Sequence, residues 1–75
     1  MTHGLAKANA YYNNNAARQD WAWLAQFATW HGYGDDVARL APPDTAGYRT
    51  IDKRIAELRK ACGYNGPLPS AQANA

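Results

Sequence analysis

The sequence predicts an all-α fold, a small three-helix bundle, on three observations. Two segments carry apolar residues at helical spacing, no run alternates with period two over strand length, and Gly and Pro fall where helices have to stop. No internal repeat is present.

Residues 1–15 read as an N-terminal arm, with room for a fourth short helix around Leu5 and Tyr11 or Tyr12. The arm ends in Asn13-Asn14-Asn15. Asparagine bonds its own backbone in competition with a helix and serves well as an N-cap, so the first helix is expected over 16–31. Its apolar residues Trp21, Trp23, Leu24, Phe27, Ala28 and Trp30 cover an arc of about 180°, too wide for a single neighbour, and leave Arg18, Gln19, Ala22, Gln26 and Thr29 to solvent. Gly32-Tyr33-Gly34 breaks this helix. Asp35 then caps a short second one over 35–41, which Pro42-Pro43 stops. Asp44 and Thr45 offer further caps while Gly47 weakens the next turn, so the third helix opens at Thr45 or at Thr50 and runs to 62, with Gly63 as its stop. Ile51, Ile55, Leu58 and Cys62 fall at i, i+4, i+7 and i+11 on one stripe of it; Lys53, Lys60 and Arg49 stand opposite. The helical domain is expected over 16–64, its core built from Trp21, Leu24, Phe27, Val37, Leu40, Ile51, Ile55 and Leu58. Residues 65–75 are expected as a turn and a flexible tail.

Seventy-five residues allow one core, and a domain of this size buries only about 60% of the surface its unfolded chain exposes. Sixteen residues are alanine, which buries little area, so a stability of roughly 4–11 kcal/mol is expected, and a homodimer would add burial. The net charge of +2 is unevenly spread: residues 49–60 hold five basic and two acidic groups, a local +3, against −1 elsewhere. Such a basic element suits phosphate contacts. Cys62 is the sole cysteine, which excludes an intrachain disulfide and suits a reducing compartment. The N-terminus has no continuous apolar segment of signal-peptide type and 18 apolar residues nowhere run together; a cytoplasmic location with no membrane contact is expected.

Nothing in the residue pattern points to catalysis, a metal or a cofactor. Asp35 and Asp36 are neighbours that project about 100° apart on a helix and sit where negative charge favours the helix dipole. His31 lies on the apolar arc of the first helix, near its C-terminal end, where the dipole favours a histidine. Cys62 extends the stripe of Ile51, Ile55 and Leu58 as a core thiol. Neither His3 nor His31 stands at a metal-type spacing from it. Gly32-Tyr33-Gly34 precedes two aspartates, whose charge would repel a phosphate there. A non-enzymatic protein is expected.

The segment Tyr48-Arg49-Thr50-Ile51-Asp52-Lys53-Arg54-Ile55-Ala56-Glu57-Leu58-Arg59-Lys60-Ala61-Cys62-Gly63-Tyr64 resembles the recognition helix of winged helix-turn-helix regulators. In that family a Thr-Ile or Thr-Val pair opens the helix, basic residues follow, and a Leu and then a Gly close it. The resemblance covers under a quarter of the chain. It implies a DNA-binding regulator in which Arg49, Thr50, Lys53 and Arg54 face bases or phosphates in a major groove, with Lys60 further along the same basic helix. Ten residues, Ala41 to Thr50, separate the short second helix from Ile51, where the motif uses a turn of about 3–4 residues.

Three Trp and five Tyr exceed what one small core encloses, and Trp and Tyr are prominent in protein interfaces. Trp21 and Trp23 lie about 200° apart on the first helix, so both cannot face the same neighbour. Trp23 with Trp30 or Tyr33 is therefore the candidate interface patch. It implies the alternative function, a small inhibitor of mobile-element type that docks on a host protein. Stacking of single-stranded bases on the same rings is a third use.

Overall fold

The structure, a computed structural model, describes residues 13–73. All regular structure among them is helical, in the order α1 (Asn14–Trp30), α2 (Gly34–Leu40), α3 (Tyr48–Cys62) and α4 (Pro69–Ala73). The all-α expectation holds. The short helix expected around Leu5 to Tyr12 and His3 lie outside the described residues.

Helix α1 starts two residues earlier than expected. Asn13 is extended, and its side-chain Oδ1 accepts from the N–H groups of Asn15 at 3.0 Å and Ala16 at 3.1 Å, so the first asparagine of the run caps while the next two enter the helix. The helix closes at His31, whose N–H reaches the carbonyls of Phe27 and Ala28, and Gly32 turns the chain at φ +91°. Helix α2 begins at Gly34 without a side-chain cap. Asp35 and Asp36 therefore occupy the first turn, where their charge faces the positive end of the dipole, and Asp35 is not the cap. Asp36 pairs with Arg39 at 2.8 Å.

Helix α3 opens at Tyr48, between the two expected starts, because Gly47 takes the extended N-cap conformation and its carbonyl accepts from Ile51 N–H at 3.1 Å. Gly63 ends it in the left-handed region, φ +75°, its N–H donating to the carbonyl of Arg59 at 2.7 Å.

Helix α1 packs mainly on α3 and also on α2 and α4; α2 touches α3. Leu24, Ile51 and Leu58 are fully enclosed, each contributing about 1.5–3 kcal/mol by leaving water, and Leu40, Ile55 and Leu68 complete the large apolar core. Ala17 and Ala28 are also at 0% exposure. These alanines bury little area, but they let the backbones of α1 and its neighbours approach closely. Trp21, Phe27, Val37 and Cys62, all expected inside, pack against this core only half-buried and sit at its margin.

Two connections depart from expectation. Arg18, expected to point to solvent, donates through Nη2 to the carbonyls of Asp44 and Ala46, the latter at 3.1 Å, which ties the α2–α3 loop to α1. The segment expected as a flexible tail folds back: Leu68 enters the core and Pro69–Ala73 forms α4. Its cap comes from another helix. Asp20, 2% exposed on α1, accepts from Ser70 N–H at 2.9 Å and from the Ser70 hydroxyl at 2.5 Å. No buried side-chain polar atom among the described residues lacks a partner.

Candidate functional site

Two surfaces stand out, one on each long helix. The first follows from the register of α3. With Ile51, Ile55 and Leu58 buried toward α1, the opposite row is Arg49, Lys53, Ala56 and Lys60, all exposed. At about 1.5 Å of rise per residue the three cations span roughly 16 Å. Neither Lys53 nor Lys60 has a carboxylate partner among the described residues; the ion pairs there are Arg39 with Asp36 and Arg54 with Glu57 at 3.5 Å. Glu57 thus neutralises Arg54 rather than Lys60. Arg49 donates from Nε to the Tyr48 hydroxyl at 3.4 Å and lies over its ring at 5.9 Å. That hydrogen bond, with the electrostatic attraction of the Tyr48 oxygen, raises the guanidinium pKa further, so Arg49 is a fixed cation.

Of the five residues expected to meet DNA, the fold brings Arg49, Lys53 and Lys60 onto one row. Thr50 is exposed beside Lys53, while Arg54 is half-buried about 100° round the helix. The loop between α2 and α3 runs from 41 to 47, so α3 stands seven residues from α2.

The second surface is aromatic. Trp23, Phe27 and Trp30 fall at i, i+4 and i+7 on α1, and His31 follows. Trp23 and Phe27 are stacked at 5.8 Å with an interplanar angle of 11°. Tyr64, just beyond α3, lies 5.3 Å from the Trp23 ring and 4.8 Å from Phe27, and the His31 ring sits 4.3 Å from Phe27. Arg59 covers the far side of the group at 5.6 Å from Tyr64 and donates to its carbonyl at 3.4 Å. Trp30 remains 76% exposed and Trp23 41%. Tyr33, expected in this patch, packs half-buried against the core instead, because its N–H bonds the carbonyl of Ala28 and folds it under the end of α1. The tyrosine that joins Trp23 is Tyr64. Its place was not legible in the sequence, since it comes from the segment after Gly63.

Other features offer less. A groove of about 240 Å³ between α3 and α4 is lined by Ile55, Ala56, Leu68, Ser70 and Arg59, but Ser70 is engaged with Asp20 and Arg59 with Tyr64. Among the described residues no three His, Cys, Asp or Glu side chains converge on a metal-sized site, and no helix is long and apolar enough to cross a membrane. No protein-family model matches the chain, and neither a curated protein nor a solved structure is significantly similar to it.

Proposed function

We propose that this protein is a small non-enzymatic regulator that binds duplex DNA through the outer face of α3. The observation that carries the reading is the row of Arg49, Lys53 and Lys60, exposed, cationic and free of carboxylate partners among the described residues. Ala56 lies within the row and lets the helix backbone come near a phosphate chain. Each strand offers one phosphate per about 3.4 Å of axis, so about five lie within the span of the row. Three such contacts support weak, backbone-directed binding, with a log–log salt slope near −2.7. Thr50 and Arg54 flank the row and supply further polar contacts.

Fluorescence anisotropy with labelled duplex and single-stranded DNA over a salt series tests it. Binding to the duplex with that slope is expected, and Lys53→Ala with Lys60→Ala should reduce the slope to about −0.9. No complex at tens of micromolar protein in low salt, or a double variant that binds as the wild type does, overturns the reading.

A second reading is favoured by the exposure of Trp30: the protein acts by docking its aromatic face on a foreign protein as an inhibitor. A partner captured by the wild type and lost with Trp30→Ala, while Lys53→Ala leaves capture intact, distinguishes it from the first.

A further inference from the structure

Helix α1 has 17 residues and only two ionisable side chains, Arg18 and Asp20. Asp20 is buried against Ser70, and Arg18, half-buried, is tied at the edge of the helix to the carbonyls of Asp44 and Ala46. Its solvent side is therefore uncharged along its whole length, made of Gln19, Ala22, Trp23, Gln26, Thr29 and Trp30. The run continues past the helix, since no Asp, Glu, Lys or Arg occurs from 21 to 34. A helix face meant for water ordinarily carries charge, whereas the centre of an interface is depleted of it and enriched in aromatic residues.

We propose that the occupant of this face is a second copy of the chain, joined α1 to α1 about a two-fold axis. Self-pairing sets like against like, so a face suits it only if like residues tolerate each other. On α3 the cations Arg49, Lys53 and Lys60 would repel their own images. On α1 there is no charge to repel, indole rings can stack on indole rings, and the amides of Gln19 and Gln26 both donate and accept. The basic rows do not oppose the pairing either. Each lies on the side of α3 remote from α1, three helix spacings of about 8–10 Å from the other, well beyond the screening length of about 8 Å in physiological salt.

The two tryptophans alone supply about half of the area a stable pairing needs. With a Trp contributing up to about 250 Å², the exposures of Trp23 and Trp30 leave roughly 300 Å² of indole surface per copy. Two copies bring about 600 Å², half of the roughly 1,200 Å² at which stable interfaces begin, and the flanking glutamines, Phe27 and Tyr64 supply more.

Sedimentation equilibrium of the full chain from about 1 to about 300 micromolar, a range that brackets ordinary micromolar affinities, tests the proposal. The mass should rise from 8.2 kDa toward twice that and stay raised in 0.5 M salt, in the way of an interface held by about 600 Å² of apolar indole rather than by charge. Trp30→Ala should weaken the dimer by about 30-fold or more without loss of helical content, since that ring is 76% exposed and supports little of the monomer. Gln26→Lys should also weaken it, and mixing that variant with Gln26→Glu should restore association. A wild type that stays at 8.2 kDa throughout, or a dimer indifferent to both Trp30→Ala and Gln26→Lys, overturns it; the first outcome leaves the face to a foreign protein. The inference does not rest on DNA binding, and loss of DNA binding with the dimer intact would strike only the functional reading.

Discussion

Asp20 and Ser70 are joined by two hydrogen bonds across fifty residues of chain, one to the serine N–H and one to its hydroxyl. The carboxylate acts as the N-cap that α4 cannot supply, because Leu68, whose carbonyl accepts the first turn's bond from Ala71 N–H at 3.0 Å, is apolar and buried. Asp20→Ala strips both acceptors and leaves the Ser70 N–H without a partner, which should cost about 1–3 kcal/mol. Asp20→Asn retains one acceptor and should cost less, and Ser70→Ala loses the hydroxyl bond alone. Chemical denaturation of the three variants should rank them in that order; equal stability of all three would show that α4 contributes nothing to the fold.

Leu58 is fully enclosed between α3 and α1. Leu58→Ala should cost about 2–5 kcal/mol, a large share of the roughly 4–11 kcal/mol available to a domain of this size, and thermal melts followed by circular dichroism should show partial unfolding near ambient temperature.

The two exposed tryptophans should behave differently in folding. Trp30→Ala removes a ring that is 76% exposed and should change stability by no more than about 0.5 kcal/mol. Trp23→Ala loses contacts with both Phe27 and Tyr64, worth about 0.5–1.5 kcal/mol per aromatic pair, and should lower the denaturation midpoint measurably.

Gly47 caps α3 in an extended conformation, φ −80° and ψ 172°, without a side-chain acceptor, and a Cβ there meets nothing within 4 Å. Gly47→Ser should stabilise the fold by about 0.5 kcal/mol through a new cap and a stiffer unfolded chain. At Gly63, φ +75°, Gly63→Ala should instead destabilise by about 1–2 kcal/mol. Opposite signs from two helix-end glycines, read in one denaturation series, check the distinction.

Local sequence determined the three longer helices and one of the two surfaces. The stripe of Ile51, Ile55 and Leu58 sets the buried side of α3, and the basic row of Arg49, Lys53 and Lys60 is its complement on a helix of known period, so naming one names the other. Asn13 and Gly63 mark helix ends through bonds made within a few residues, which the sequence displays directly. Tertiary structure decided what lies between helices. The apolar arc of α1 is about twice as wide as one neighbour can cover, and periodicity orients it only about its own axis; the packing of α3 and α4 is what selects Ala17, Leu24 and Ala28 for the core and leaves Trp23 and Trp30 outside. The capture of Tyr64 by Trp23 and Phe27, the burial of Leu68 and the clasp of Asp20 on Ser70 are likewise contacts between distant positions. Such contacts leave no trace in local residue spacing, because the acceptor that caps α4 and the rings that hold Tyr64 belong to a helix some fifty and forty residues away in the chain.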